Sequence, residues 1–142
     1  AISAMKVDDG AQKPSAKANG KTKVLLIDDS PHVRKLLKVI LEKEKFEVLE
    51  AENGQAGLEK VKATEPTIVL CDLSMPIMNG EEFLRNMKSG DSTKKIPVIM
   101  LTGDATPENE TQLLKLGAGD FMSKRSSPPV LVSRMKKALG AG

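Results

Sequence analysis

The sequence predicts an α/β domain: a single (βα)5 unit whose five-stranded parallel sheet carries helices on both faces. Three observations predict it. Short apolar runs of strand length alternate with stretches of helical period. The run 24–27 is continuously apolar and the third strand, residues 67–71, is apolar after Thr67, the pattern of strands covered on both faces. Strands joined by single helices must lie parallel with right-handed crossovers, which spreads the helices over the two faces of one open sheet.

Each element has its own signal. Val24, Leu25, Leu26 and Ile27 form the first strand. Ser30-Pro31 then supplies an N-cap followed by Pro at the first helical position. Val33, Leu36, Leu37, Ile40 and Leu41 recur at helical spacing and predict one apolar face. Phe46–Ala51 alternates as a second strand. Residues 54–63 predict a weaker helix that stops before Pro66. Residues 67–71 are the third strand, and Phe83, Leu84 and Met87 mark a third helix after Gly80. Residues 96–101 are the fourth strand. Thr106-Pro107 repeats the cap-plus-Pro signal, and Leu113, Leu114 and Leu116 lead to Gly117, placed to end the helix at C′. Residues 118–122 are the fifth strand. Pro128-Pro129 opens the last helix, with Leu131, Met135, Ala138 and Leu139 on one side.

Composition narrows the function. The 142 residues suffice for one sizeable core. Three Phe, no Trp and no Tyr leave little from which to build a stacking site for flavins or single-stranded nucleic acid. The net charge is +3, but Lys6, Lys13, Lys17, Lys21 and Lys23 cluster at the N-terminal end, and no Lys/Arg stripe accompanies a reading element. Direct nucleic-acid binding is therefore not expected. Residues 1–21 have no hydrophobic period and predict a disordered tail; residues 22–140 form the predicted domain. Cys71 is alone, so neither an intrachain disulfide nor a Cys-based metal site can form; set in an apolar run, it predicts a small buried hydrophobe. A lone thiol fits a reducing cytosol, and a cytoplasmic location is expected. The apolar runs are far shorter than the ~20 residues of a membrane span, so no membrane role is expected.

In an open parallel sheet, functional groups gather at the carboxyl ends of the strands. Asp28-Asp29 follows the first strand, Asp72 ends the third, Thr102 ends the fourth and Lys124 follows the fifth. Taken singly, Asp28 could cap a helix, Asp29 could be a solvated acid, and Thr102 and Lys124 could be ordinary surface groups. Five polar groups at four strand ends make a shared site the better reading. Two carboxylates ~4 Å apart at an effective dielectric of ~20 repel by roughly 4 kcal/mol, so the cluster calls for a cation. Oxygen-only ligands in a partly hydrated site point to Mg²⁺ rather than zinc, with Mn²⁺ as an alternative.

These residues give the chain a specific resemblance. Asp28-Asp29, the run Asp72-Leu73-Ser74-Met75-Pro76-Ile77-Met78-Asn79-Gly80, the Leu101-Thr102-Gly103 strand end and Gly117-Ala118-Gly119-Asp120-Phe121 leading to Lys124 resemble the receiver domain of two-component response regulators, the group that includes the chemotaxis receivers. The resemblance spans about residues 22–140 and implies a flavodoxin-like fold. It implies that Asp72 takes a phosphoryl group from a phosphohistidine on a sensor histidine kinase or phosphotransfer protein. It implies that Asp29, Asp72 and the main-chain carbonyl of Ser74 hold Mg²⁺ with help from Asp28. Lys124 would pair with phosphoryl oxygens, Thr102 would donate its hydroxyl to them, and the Phe121 rotamer would follow. The face of the fourth helix, fifth strand and fifth helix would then change and control an output protein or domain, with a homodimer through that face as one option. Ser74 and Asp104 would tune the phosphoryl lifetime. Such a chain catalyses its own phosphorylation and dephosphorylation without being a conventional enzyme.

One departure stands out. Many receivers carry Pro after the Lys, in a cis peptide; here Arg125 follows Lys124. A cis non-proline bond costs ~3–4 kcal/mol, so a trans bond is predicted. His32, in the first turn of the first helix, is expected to be exposed rather than a phosphoryl relay or metal ligand, and the Met residues at 75, 78, 87, 100, 122 and 135 are expected to pack loops and core. Two other classes fit less well. An aspartate-nucleophile phosphatase of the haloacid dehalogenase type wants a second Asp two residues on, where Ser74 stands. A flavin or nucleotide domain wants a Gly-rich phosphate loop after the first strand, where Asp28-Asp29 would repel phosphate.

Overall fold

The computed structural model describes residues 22–103, 106–124 and 126–140. In chain order the elements are β1 (Thr22–Ile27), α1 (Pro31–Lys43), β2 (Phe46–Ala51), α2 (Gly54–Thr64), β3 (Ile68–Asp72), α3 (Gly80–Ser89), β4 (Val98–Thr102), α4 (Pro107–Lys115), β5 (Asp120–Ser123) and α5 (Pro128–Ala138). The strands pair in parallel in the order β2-β1-β3-β4-β5. The predicted α/β class and its alternation are what the chain adopts. The predicted tail, Asp104 and the Lys124–Arg125 bond lie outside the described residues.

Period-two alternation divides the core into two layers. Leu25, Ile27, Val69, Cys71, Val98, Met100 and Phe121 face α2, α3 and α4, where they meet Val61, Phe83, Leu84, Met87 and Leu113. Val24, Leu26, Ile68, Leu70, Ile99, Leu101 and Met122 face α1 and α5, where they meet Leu41, Leu131 and Met135. The central strands β1, β3 and β4 are fully buried over their apolar runs, which is why those runs show no alternation.

Several boundaries move from the predicted positions for local reasons. The fifth strand starts at Asp120 rather than 118 because the chain is still closing α4. The Gly117 N–H donates to Leu114 O at 3.0 Å and the Ala118 N–H to Leu113 O at 3.1 Å, with Gly117 at φ +109°: the Schellman closure that a C′ glycine permits. The fourth strand starts at Val98 because Pro97 has no N–H to give and the Ile96 N–H closes a turn onto Thr93 O. The predicted alternation of β2 is not seen: only Phe46 and Ala51 are buried and the four residues between are half-buried, as suits an edge strand. The apolar face predicted for α1 is also wider than the core uses. Leu41 alone is buried, and Leu36 remains 56% exposed. On α4 only Leu113 is buried, and Leu114 faces solvent.

Candidate functional site

Asp28, Asp72 and Lys124 lie two residues past the core residues Leu26, Leu70 and Met122, so the same alternation that sorts the core delivers all three to one rim. Asp28 and Asp72 are buried, and Asp29 is exposed beside them. One carboxylate oxygen from each of the three lies within 4.8 Å of the others. At that spacing the two buried carboxylates repel by about 3 kcal/mol at an effective dielectric of ~20. Lys124 offsets part of this. Its Nζ is 2.8 Å from Asp28 Oδ2 and 3.2 Å from Asp72 Oδ1. Three carboxylates thus face one ammonium, and Asp28 Oδ2 has no partner beyond that ion pair.

The electrostatics follow the geometry. Burial pushes the Asp72 carboxyl above its usual range, the Asp28 carboxylate pushes the same way, and Lys124 and the Ser74 N–H pull back without cancelling the rise. Burial alone would lower the Lys124 ammonium. Its contacts with Asp28 and Asp72 outweigh that, and the net shift is upward. The Cys71 thiol, fully buried behind Asp72, is driven well above its usual value by burial and then by the Asp72 and Asp28 charges. It is the inert packing residue that its setting in the sequence predicts.

The loop after β3 is shaped by its neighbours. The Leu73 N–H donates to Leu101 O at 3.1 Å and the Gly80 N–H to Leu73 O at 2.9 Å. A Cβ at Gly80 would collide with the Asp72 carbonyl, so glycine lets α3 start directly against the end of β3. Asn79 and Glu82 close a reciprocal capping box at 2.9 and 3.0 Å. Ser74 is exposed at the mouth of the site. Ile77, 80% exposed, sits at φ +70° in a tight turn closed by the Met78 N–H onto Pro76 O at 2.7 Å, an unfavourable backbone region for a β-branched residue.

Thr102 is buried at the end of β4, two residues beyond Met100, which pairs with Phe121 in the β4–β5 register. Thr102 and Phe121 therefore face the α2–α3–α4 side, opposite the parity of the charged trio. The Phe121 ring is buried in that layer. The Lys124 N–H donates to Thr102 O at 2.8 Å, which ties the lysine to the strand that carries the threonine. His32 is exposed in the first turn of α1, as expected. The Met residues pack: 87, 100, 122 and 135 are buried, and 75 and 78 lie against the core.

The comparisons with known proteins agree with this geometry. A family model described as the response regulator receiver domain matches residues 24–136. The chain belongs to the response regulator receiver family. It is thus a receiver module of two-component signalling. The phosphate regulon regulatory protein PhoB of Pseudomonas aeruginosa is 38% identical over 120 residues, which cover 84% of this chain and 52% of PhoB. The regulatory protein ResD of Bacillus subtilis is 36% identical over 118 residues, 83% of this chain and 48% of ResD. The receiver spans about half the length of these curated relatives. Among solved structures, chemotaxis protein CheY4 of Vibrio cholerae superposes with a TM-score of 0.79 at 28% identity, covering 84% of this chain and 99% of CheY4. The receiver domain of a Syntrophus aciditrophicus signal transduction histidine kinase gives 0.77 at 32% identity, covering 84% and 90%. No helix among the described residues is long and apolar enough to cross a membrane.

Sequence reasoning missed three residues that hold this receiver's rim. Arg34, on α1, donates from Nη1 to the Asp28 carbonyl at 2.6 Å and from Nε to Glu50 Oε1 at 3.1 Å. Glu50 is its anchor on β2. Asn53 is buried and caps α2, accepting the Ala56 N–H at 2.8 Å. Arg34 had one legible signal: a long cation placed next to Val33 within the predicted apolar face.

Proposed function

We propose that this receiver is a phosphorylation-dependent switch whose phosphoacceptor is Asp72. A carboxylate oxygen of Asp72 attacks the phosphorus of a phosphohistidine on a sensor histidine kinase or phosphotransfer protein. An O–P bond forms, the P–N bond breaks, and its electron pair leaves with the imidazole. The observation that carries the reading is the trio Asp28, Asp29 and Asp72 within 4.8 Å, with Lys124 bridging the two buried members.

The donor set fits a small hard cation: oxygen ligands only, an excess of negative charge, and a buried Asp28 oxygen whose one partner is an ammonium. Asp29, Asp72 and the Ser74 carbonyl would hold Mg²⁺, with Asp28 assisting. When bound, the ion supplies charge neutralisation for phosphoryl transfer. The chain does the rest. Asp28 holds Lys124 over the acceptor, and Lys124 meets the new phosphoryl oxygens. Thr102 donates its hydroxyl to them, while Ser74 and Asp104 govern water access and so the lifetime of the acyl phosphate. The phosphoryl group adds roughly −1.5 to −2 charge. Drawing Thr102 toward it disturbs the layer in which the Phe121 ring packs, and so biases the α4–β5–α5 face toward a partner or output domain. A shift from 1:99 to 99:1 needs about 5.5 kcal/mol of differential stabilisation, within reach of a few charge-assisted hydrogen bonds.

Incubation with Mg²⁺ and a small acyl phosphate, followed by intact mass, tests the acceptor. The wild-type chain gains one phosphoryl group and Asp72→Ala gains none; label that persists in Asp72→Ala would sink the assignment. Mg²⁺ also raises the melting temperature by linkage, and Asp29→Asn removes that response while raising the metal-free value.

A further inference from the structure

We propose that Arg34 is a positioning residue for the metal-binding pair, acting through the peptide bond that joins Asp28 to Asp29. The inference rests on the metal reading above and extends it to a residue outside the acidic cluster.

Every polar group of Asp28 is assigned. Its N–H donates to Ala51 O at 3.1 Å, its Oδ1 accepts the Ser30 N–H at 2.8 Å, and its Oδ2 faces Lys124 at 2.8 Å. Its carbonyl oxygen accepts from Arg34 Nη1 at 2.6 Å, a short charge-assisted bond. That oxygen lies in the plane of the 28–29 peptide, so holding it sets the direction in which Asp29 leaves the strand. Asp29 is the exposed member of the trio. The guanidinium is held in turn by Glu50 at 3.1 Å, and Lys38 Nζ lies 3.6 Å from the other Glu50 oxygen. The planar fork reaches two acceptors at fixed geometry, which a lysine cannot do.

A structural role alone does not account for the contact. Arg34 lines an open groove of about 440 Å³ between α1, β2 and α2. Truncation there enlarges a solvent-facing groove and leaves no void in either core layer. A purely electrostatic role is separable by sign. A guanidinium near the ion repels it, so removing the charge would tighten Mg²⁺ binding. Removing a positioning contact weakens it, typically by 10–100-fold for groups that orient metal ligands.

The test is Mg²⁺ titration calorimetry on the full chain, with Asp29→Asn as the non-binding control. Arg34→Gln is expected to raise the apparent Mg²⁺ dissociation constant about 10-fold or more, while far-UV circular dichroism without metal stays that of the wild type. Arg34→Lys is expected to fall between the two. Glu50→Gln is expected to weaken binding less, and the double variant Arg34→Gln/Glu50→Gln no further than Arg34→Gln alone. Affinity in Arg34→Gln equal to or tighter than wild type overturns the inference and leaves the metal site standing. Wild-type protein that shows no Mg²⁺ heat overturns both. Should Arg34→Gln fail to fold, wild-type affinity in both Arg34→Lys and Glu50→Gln overturns the inference on its own.

Discussion

Helices α3 and α4 both pack on the same layer of the sheet, and both begin with a capped first turn, yet they are anchored very differently. Asn79 and Glu82 close a two-way box at the start of α3, and Gly80, Phe83, Leu84 and Met87 are buried along it. The start of α4 has Pro107 and a one-way cap, the Asn109 N–H onto Thr106 Oγ1 at 3.2 Å, and Leu113 is its single buried residue. Its side-chain tie to α3 is an exposed hydrogen bond, Gln112 Nε2 to Glu81 Oε1 at 3.2 Å. The contrast teaches where each task is lodged. The helix that abuts the Asp72 loop is firmly anchored, as the proposed acceptor role of Asp72 would require, since transfer depends on the position of the acceptor. The helix beside the Thr102 end is held by little, which suits the moving role proposed for its face, because elements that move are drawn from the low-stability end of a fold.

Four measurements would break or sharpen this comparison. The largest effect belongs to α3: Phe83→Ala should cost about 3–5 kcal/mol in urea unfolding, whereas Leu114→Ala on α4 should stay within about 0.5 kcal/mol. Equal costs would end the distinction.

Asp72→Asn comes next. The folded Asp72 carboxyl titrates above its unfolded value, so between those two values the native state binds more protons than the unfolded chain. Stability therefore falls as pH rises through that window, and the ionised group remains a burden above it. Without metal at neutral pH, Asp72→Asn should melt higher by on the order of 4 °C, about 1 kcal/mol for a domain of this size. The gap should close as pH drops below the window; a lower melting temperature at neutral pH would show that the Lys124 contact outweighs the burial.

Ile77→Gly should stabilise by about 1 kcal/mol, since the positive-φ γ-turn centred on residue 77 strains any side chain that carries a Cβ. The smallest effect is Gln112→Ala, expected to change stability by less than about 0.5 kcal/mol. Hydrogen exchange in that variant should quicken along α4 and stay unchanged along α3.

The sequence was most readable where one local rule decided the outcome. Continuous apolar runs gave the buried strands, and Ser30-Pro31 and Thr106-Pro107 marked true helix starts, each hydroxyl accepting the expected backbone N–H. The acidic trio and Lys124 were legible because a parallel sheet brings its strand ends together. Periodicity failed where burial depends on place within the fold. Alternation could not say that β2 is an edge, and helical spacing could not say that Leu36 and Leu114 would face solvent. Arg34 escaped because its meaning lies in two acceptors, one of them a main-chain carbonyl, and no side-chain pattern encodes a carbonyl's direction.

The thiol of Cys71 turns its burial into a tool. It is the chain's sole cysteine, fully enclosed next to Asp72. A thiol reagent can reach it only when the central strand comes apart. The labelling rate then times how often the heart of the sheet opens, and comparing that clock with and without a phosphodonor tells whether modification of the neighbouring aspartate loosens the sheet itself or leaves its motion to the perimeter.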